Sequence, residues 1–329
     1  MNLYANIAGR NISSYLTNAL GLGRLMSLTI TDEVSGKSDK VSLTVARDRT
    51  MSPPPEESEM IFALPDRYGT LRPMGTYYSD APKTNGDKRS GHKMSLSGTS
   101  ANMAGALKEK RTDSYDQTTV KGVVSTIAGR QGLTPVVSSS LGSIEVKHKD
   151  QVNVSDMHFL KTWAKEMGAF FKIREGRLLF LENGSATSAS GSSLLPVKCI
   201  GSEIISYSWT GGKRGKYKSA KAFWHDQASA ERKTVETGSG EPVISLNKTF
   251  ANEAEAKRAA ESALKDASVA DDKCTVTVPG DAGLRAGGEY VVPAFVYKEL
   301  TGSWFIAKAT HKVDKQGGYE TTLDLERKR

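Results

Sequence analysis

The chain has 329 residues, with 45 lysines and arginines against 37 aspartates and glutamates, so its formal net charge at pH 7 is +8. This length is enough for two or three domains and for a sizeable buried core. A charged fraction of 25% is ordinary for a globular protein and excludes a chain that is disordered throughout.

The positive charge is concentrated in two short stretches. Five of the nine residues from 213 to 221 are basic, and the last three residues, Arg327, Lys328 and Arg329, are basic as well. Together these two stretches equal the whole excess of positive charge, and the rest of the chain is balanced. The composition therefore argues against a pervasive nucleic-acid-binding surface.

The two cysteines and the apolar runs indicate where the chain works. Cys199 and Cys274 lie far apart and show no metal-ligand spacing, so we expect two buried or half-buried thiols in a reducing compartment. The first residues lack a basic region followed by an apolar run, and no apolar run approaches the roughly 20 residues that span a bilayer. We expect a soluble protein without a signal peptide and without membrane insertion.

The first third of the sequence reads as β-structure. Residues 25–31 and 40–46 alternate apolar and polar side chains, and the turn-forming residues 32–36 between them predict a hairpin. Further strands are predicted near residues 75–79 and 93–97, separated by a polar loop over residues 81–91. We assign residues 1–99 to a first β domain.

The pattern changes to α/β over residues 100–200. Helices are predicted near residues 100–131, in two segments whose second carries an apolar stripe with i, i+3, i+4 spacing, and near residues 155–167. Strands follow at 170–173 and 177–181. The polar, low-complexity residues 183–193 are predicted to be a linker.

The last third, residues 201–329, returns to β-structure and forms the second β domain. Residues 251–267 form an Ala-rich helix, and a tight hairpin is predicted at Gly317 and Gly318. The predicted fold class is α+β and mainly β, with two β domains around an α/β insert. The predicted strands of this part are residues 204–209, 217–225, 273–278, 289–296, 303–313 and 319–325.

No motif predicts catalysis or cofactor binding. The sequence contains no G-x-S-x-G and no phosphate-binding G-x-x-x-x-G-K-[ST], and the glycines at Gly21 and Gly23 do not continue into a dinucleotide fingerprint. No two of the five histidines have the spacing of metal ligands. We therefore predict a protein that is not an enzyme and has no metal or cofactor.

The basic stretch at residues 213–221 leaves two interpretations open. If residues 213–223 form a strand, then Arg214, Lys216 and Lys218 share one face, with Lys221 on the other. On the first interpretation, such a basic face binds phosphates or an acidic partner. On the second, its lysines protect a sheet edge against unwanted strand pairing. Lys213 begins the same stretch.

Three motifs, in order along the chain, resemble the phage late control gene D family of baseplate hub proteins. The first is the strand-to-helix passage at residues 96–111. The second runs over residues 155–171 with the pattern S-D-x-x-F-L-x-x-W-A-x-x-x-G-x-F-F, followed by Gly176-x-Leu-x-Phe180. The third combines Gly280-Asp281, Gly302-x-Trp304 and residues 311–321 near the C-terminus. The family is similar to the N-terminal part of the valine-glycine repeat spike proteins of type VI secretion.

This resemblance implies a structural hub of a contractile tail, in an infectious phage, a defective prophage or a phage-tail-like bacteriocin. The hub is a homotrimer with two tail-tube-like β-barrels per chain. It joins the sixfold tail tube to the threefold central spike and forms part of the central channel. Its implied partners are the tail-tube or tube-initiator protein, the spike, the tape-measure protein, other baseplate proteins and, transiently, DNA.

The resemblance also implies where the chain is found and which residues form its core. Its location is the virion tail baseplate or a bacteriocin particle, after synthesis in the bacterial cytoplasm. Phe159, Leu160, Trp163 and Trp304 become core residues, and the basic stretch faces the channel or a neighbouring tail protein. The alternatives are a nucleic-acid-binding regulatory phage protein and a tail-associated peptidoglycan hydrolase.

Overall fold

The computed structural model is mainly β, with five α-helices and one short 3-10 helix, Gly201–Glu203, among the residues that it describes. None of these helices has the length and apolar character needed to cross a bilayer. The described residues are 2–17, 23–34, 38–48, 50–88, 91–100, 109–174, 176–183, 196–211, 217–226, 228–269, 272–294, 296–315 and 318–327.

One large sheet forms the framework. In the described residues it has fourteen strands: β1 (Tyr4–Ile7), β2 (Arg10–Asn11), β3 (Leu25–Glu33), β4 (Lys40–Ala46), β5 (Glu59–Pro65), β6 (Leu71–Ser79), β7 (Lys83–Asp87), β8 (Gly91–Thr99), β14 (Val197–Lys198), β15 (Ser206–Gly211), β19 (Asp272–Pro279), β20 (Glu289–Val292), β21 (Gly302–Asp314) and β22 (Gly318–Arg327). The main path of the sheet runs β15-β19-β22-β21-β3-β4-β8-β6-β5-β1-β2. A short helix, α1 (Ser13–Leu16), packs beside β1.

The long strand β21 joins the N-terminal and C-terminal parts of this sheet. It pairs antiparallel with β3 on one side and with β22 on the other. Its Val313 belongs to the core of the N-terminal strands, whereas Trp304 and Ile306 belong to the core of the C-terminal strands. The first and last thirds of the sequence therefore share one continuous sheet with two apolar cores.

The middle of the chain forms a separate α/β unit with its own core. An antiparallel ribbon, β9 (Lys110–Thr119) with β11 (Glu145–Ser155), lies beside a three-stranded sheet of order β10-β13-β12. Its other elements are α2 (Val120–Arg130), β10 (Thr134–Val137), α3 (Ser139–Gly142), α4 (Asp156–Glu166), β12 (Ala169–Arg174) and β13 (Arg177–Glu182). The Thr119 and Ser155 side chains accept hydrogen bonds from main-chain N–H groups in the first turns of α2 and α4, which sets where these helices begin.

A smaller unit packs a helix on three strands. Strand β16 (Ser219–Asp226) lies between β17 (Glu231–Gly238) and β18 (Val243–Phe250), and α5 (Glu253–Val269) covers one face of this sheet. The small side chains Ala220, Ala222, Ala256 and Ala260 are fully buried between sheet and helix, because alanine lets the two elements approach closely. The helix also contacts α4, where the Ser262 hydroxyl donates to the Lys165 carbonyl at 2.8 Å.

Most predicted elements are confirmed, and a few are wrong. The hairpin of residues 25–46, the amphipathic helix from residue 120, the helix at 155–167, the Ala-rich helix and the final strand pair are all present. The helix predicted from residue 100 is wrong at Lys110 and Arg111, which begin strand β9; residues 101–108 lie outside the described residues, as does most of the predicted linker at 183–193. The predicted loop at 81–91 contains strand β7, paired with β8.

Both cysteines are buried free thiols, as predicted. Cys199 is 3% and Cys274 is 2% exposed, and both belong to the core of the C-terminal strands. Burial raises the pKa of the Cys274 thiol to about 12, because a thiolate would lose its hydration there.

Candidate assembly surface

The basic stretch that the sequence singles out is only partly placed. Lys213, Arg214 and Lys216 lie outside the described residues. The strand prediction is wrong at Tyr217 and Lys218, because β16 begins at Ser219. Lys218 is exposed in the segment before the strand. Lys221 lies on β16 directly opposite Glu236 of β17, so an acidic side chain is its cross-strand neighbour.

The four residues expected in the core are all buried. Phe159, Leu160 and Trp163 lie on the inner face of α4, with exposures of 6%, 0% and 5%. The Trp163 ring packs 5.6 Å from the ring of Phe180, measured between centroids. Trp304 is fully buried, and its indole N–H donates to the Leu300 carbonyl at 2.6 Å.

Arg327, from the second basic stretch, is used inside the fold. Its guanidinium stacks over the Trp304 ring at 3.9 Å and pairs with Asp272 at 2.9 Å. It also donates to the carbonyls of Thr301 and Glu299, at 2.5 and 2.8 Å. This charge therefore fixes the end of β22 and is not free for a partner.

One edge of the main sheet exposes several apolar side chains among the described residues. All six residues of β15 are exposed, and in the described residues β15 pairs only with β19. We define the aromatic edge as Ile205, Tyr207, Trp209 and Tyr297, which are 54%, 37%, 40% and 41% exposed. The rings of Tyr207 and Tyr297 lie 4.5 Å apart between centroids.

The register shows that the aromatic edge extends the core side of the sheet. Trp209 lies opposite Cys274 and Tyr207 lies opposite Val276, and residues directly opposite each other share one face. Both partners are buried, and the rows continue inward to Leu325 and Leu323 of β22, which are also buried. The apolar inner face therefore runs outward to β15, where the described chain leaves it uncovered.

Polar contacts hold these rings in place by their edges. The Trp209 indole N–H donates to the Asp272 carboxylate at 2.8 Å, and the Tyr207 hydroxyl donates to Glu299 at 3.0 Å. Because the contacts use only the polar groups, they orient the side chains and leave apolar ring surface accessible to a partner.

A buried ionic cluster docks the α/β unit onto the main sheet. We define the junction cluster as Asp32, Asp39, Lys172, Arg174 and Arg285. The Lys172 ammonium lies 2.5 Å from Asp32 and 2.7 Å from Asp39, and Arg174 lies 3.3 Å from Asp32. Apolar side chains from the main sheet and the α/β unit pack together around the junction cluster. The buried residues of this apolar contact are Val34, Phe170, Leu179 and Leu181.

Strand β12 contributes side chains both to the core of the α/β unit and to the contact with the main sheet. Phe171 and Ile173 point into the core of the α/β unit, whereas Phe170 packs in the contact with the main sheet. Because side chains alternate along a strand, Lys172 and Arg174 share the face of Phe170 and reach the carboxylates of the sheet. The strand is therefore buried on both faces.

The two carboxylates of the junction cluster have opposite pKa shifts. Burial alone would raise the pKa of Asp32, but the charges of Lys172, Arg174 and Arg285 outweigh it and hold the pKa below its usual range. Burial and the neighbouring charge of Asp32 raise the pKa of Asp39 to about 6, against the opposing effect of Lys172. Asp32 is therefore the permanent counter-charge.

His311 lies near this cluster and is neutral. Its Nε2 is 3.1 Å from the Leu284 carbonyl, which only accepts, so Nε2 carries the proton. Its Nδ1 then accepts from the hydroxyls of Tyr319 and Thr321, at 2.9 and 3.1 Å. Burial, helped by the charge of Arg285, lowers the pKa of His311 to about 3. The histidine is a structural hydrogen-bonding centre of the final strand pair.

Neither the aromatic edge nor the junction cluster follows from the sequence motifs. The alternation Ile205, Tyr207, Trp209 is visible in the sequence and indicates a strand with one apolar face, but it does not show that β15 lies at a sheet edge. The pairing of Asp32 with Lys172 joins positions 140 residues apart in the chain. Among the described residues, no group of three or more histidine, cysteine or acidic side chains could hold a metal ion.

A mainly β chain whose described residues leave an apolar sheet edge uncovered presents a surface suited to contact with a partner. Residues 76–317, which are 242 of the 329, match the family described as the phage tail baseplate hub (GPD). The chain belongs to this family.

Relatives in sequence and in fold agree with this family. The chain is 27% identical to a probable baseplate hub protein of Escherichia phage 186, over 92% of this chain and 88% of that protein. In fold it is similar to the 43 kDa tail protein of prophage MuSo2 from Shewanella oneidensis, with a TM-score of 0.71, 13% identity and coverage of 99% and 98%.

A second structural relative is the E. coli c3393 protein, a type VI secretion component with structural similarity to the T4 tail proteins gp27 and gp5. Its TM-score is 0.61, with 11% identity, over 93% of this chain and 74% of that chain. The two likenesses show that the shared fold extends over nearly the whole chain.

Proposed function

We propose that this chain is the structural hub of a contractile-tail baseplate, acting as a homotrimer that joins the sixfold tail tube to the threefold spike and lines part of the central channel. The observation that carries the proposal is the family match over residues 76–317, together with a fold shared along 99% of the chain with a tail protein. The similar fold of a type VI secretion component that itself resembles the T4 tail proteins gp27 and gp5 supports a place in a tail assembly.

The domain division that we propose for this role is 1–99 and 201–329 as the two tube-like parts, with 100–200 as the insert. Three chains with two tube-like parts each present six similar surfaces to the tube and three equivalent surfaces to the spike. The shared sheet through β21 supports this arrangement, because it holds the two parts of one chain at a fixed separation.

In this proposed role the chain performs no catalysis. Its chemistry is the formation of large interfaces with the tube or tube-initiator protein, the spike, the tape-measure protein and neighbouring baseplate proteins. DNA passes only transiently through the channel, and the chain works in the particle after synthesis in the bacterial cytoplasm.

The proposal is tested by removing the chain from the particle that carries it. Tails made without it should lack a joined spike and baseplate when viewed by electron microscopy, and supplying the chain should restore them. Complete tails in its absence would contradict the proposal. Tight DNA binding that falls steeply with salt would favour the regulatory alternative, and turnover of peptidoglycan by the purified chain would favour the hydrolase.

We further propose that the basic stretch around Lys213, Arg214, Lys216, Lys218 and Lys221 faces the channel or a neighbouring tail protein. Replacing Arg214, Lys216 and Lys218 together by glutamate should impair assembly or ejection, because the local charge changes sign. The matched control replaces the exposed Lys83, Lys110 and Lys147 by glutamate, which changes net charge equally. Fully active particles carrying the first triple substitution would contradict this assignment.

A further inference from the structure

One buried donor of the junction cluster has no acceptor among the described residues. The Arg285 Nε–H donates to the Ala282 carbonyl at 3.0 Å, and the Nη2 group donates to the Pro73 carbonyl. The Nη1 group of Arg285 is buried and makes no hydrogen bond to the described chain. A buried donor without an acceptor costs stability, and native structures nearly always supply one. The Nη1 group therefore indicates an acceptor that this chain does not itself provide.

The junction cluster also carries more positive than negative charge. At pH 7.5 it has three cations and two ionised carboxylates, so one positive charge is unbalanced. Burial raises the pKa of the neighbouring Tyr77 and lowers that of His311, so both are neutral. The carboxylate of Asp281 also acts on His311, but it is paired with Arg67 at 2.7 Å. A buried charge without a counter-charge is costly, so the unbalanced charge favours an anion.

The unbalanced charge lies at the contact between the α/β unit and the main sheet. Arg174 is on β12 of the α/β unit, whereas Arg285 is in the segment between β19 and β20 of the main sheet. Arg174 pairs with Asp32 at 3.3 Å, but among the described residues neither carboxylate of the cluster forms an ion pair with Arg285. Burial lowers the pKa of Arg285, and the like charge of Arg174 lowers it further. The two guanidinium groups therefore repel each other across the junction.

We propose that the junction cluster binds one small monovalent anion, of the size of chloride, between the guanidinium groups of Arg174 and Arg285. The anion accepts a hydrogen bond from the Arg285 Nη1 group and balances the charge of the cluster. Because one guanidinium comes from each side, the anion also joins the α/β unit to the main sheet. This site goes beyond the proposed hub function, since it lies within a single chain.

Two other ligands fit the observations less well. A water molecule would accept the same hydrogen bond but would leave the positive charge unbalanced. The side chain of a partner protein would have to enter the junction, because the Nη1 atom is not accessible from the surface. The Arg285 side chain as a whole is partly exposed, which gives a small ion a route to the site.

The test is a chloride titration of the purified full chain at pH 7.5, with gluconate replaced by chloride at constant ionic strength. A ligand that binds only the folded state stabilises it increasingly as its concentration exceeds its Kd, so the urea unfolding midpoint of the wild type should rise with chloride. Arg285→Gln should weaken chloride binding at least about 10-fold, because it removes the charged donor. Arg24→Gln is the matched control, since Arg24 is a partly exposed arginine paired with Asp48, and it should respond like the wild type.

A second variant protects the test against misfolding, because it should strengthen binding. Asp39→Asn removes a negative charge from the cluster, so chloride should bind at least about 10-fold more tightly than in the wild type. If the wild type responds to chloride no more than folded Arg285→Gln, or if Asp39→Asn binds chloride no more tightly, the inference is wrong and the hub proposal stands.

Bromide locates the site directly. Anomalous diffraction from crystals grown with bromide should place one ion beside the Arg285 Nη1 atom in the wild type. Bromide found only elsewhere, or found there without any effect of chloride on stability in solution, would overturn the inference.

Discussion

Asp32 and Asp39 contact the same lysine, yet replacing each by asparagine should change stability in opposite directions. Asp32 holds a permanent charge against Lys172 and Arg174, at 2.5 and 3.3 Å. Asp32→Asn leaves these buried cations without their main counter-charge, and the free energy of unfolding should fall by about 3–5 kcal/mol.

Asp39→Asn should stabilise the fold at neutral pH. The pKa of Asp39 is about 6 against an ordinary 3.8, and one pKa unit corresponds to about 1.4 kcal/mol. Keeping this carboxylate ionised at pH 7.5 therefore costs about 3 kcal/mol. Asparagine retains an oxygen that accepts from the Glu33 main-chain N–H and from Lys172, so the free energy of unfolding should rise by about 2–3 kcal/mol.

The pH dependence gives the two variants different signatures. Because the folded pKa of Asp39 is raised, its favourable contribution is complete below pH 3.8 and is lost as the pH rises through about 6. The advantage of Asp39→Asn should therefore shrink to about 1 kcal/mol at pH 4.5. For Asp32 the folded pKa is lowered, so its contribution is present above the ordinary value and is lost as the pH falls below it.

Urea unfolding at pH 7.5 and pH 4.5, followed by circular dichroism, measures these differences. Asp116→Asn is the control, because Asp116 is an exposed carboxylate paired with an exposed histidine, and it should change stability by less than about 1 kcal/mol. The reasoning is refuted if Asp39→Asn destabilises as much as Asp32→Asn at pH 7.5, or if its advantage does not shrink at pH 4.5.

Three further predictions concern buried groups. Trp304→Ala should lower the free energy of unfolding by about 3–5 kcal/mol in urea, and a loss below 1 kcal/mol would contradict the packing described for Trp304. At pH 8 a thiol reagent should modify neither Cys199 nor Cys274 in the folded chain and both in urea; rapid labelling of the folded chain would contradict their burial. Burial lowers the pKa of His311 to about 3, so its neutral form contributes stability above pH 6.5 that is lost as the pH falls toward 3. Urea unfolding midpoints measured from pH 7 to pH 4 should therefore fall less in His311→Gln than in the wild type.

Local patterns in the sequence were sufficient for the elements whose signals are local. Val120, Val123, Val124 and Ile127 repeat at helical spacing, and all four are fully buried on α2. The alternation of residues 25–31 and 40–46 likewise identifies two strands that pair as a hairpin. In each case the period of apolar side chains fixes both the type of element and its buried face.

Features that depend on distant pairing could not be predicted in this way. Lys110 and Arg111 look helical with the residues before them, but pairing with β11 places them in a strand. Nothing near Lys172 in the sequence indicates that it would be buried against Asp32 and Asp39, because the cluster exists only when the α/β unit docks on the main sheet. The exposure of Trp209 depends on which strand ends the sheet, and this is set by topology.

The mass of the assembled chain tests the central claim most directly. The chain has a mass of 35.5 kDa, so by native mass spectrometry a homotrimeric hub alone should appear as a particle of about 107 kDa. With the spike protein bound, the particle should be heavier by the mass of three spike chains. Electron microscopy of the same sample should show threefold symmetry around a central channel. A chain that remains monomeric at high concentration, both alone and with the spike and tube proteins, would contradict the account.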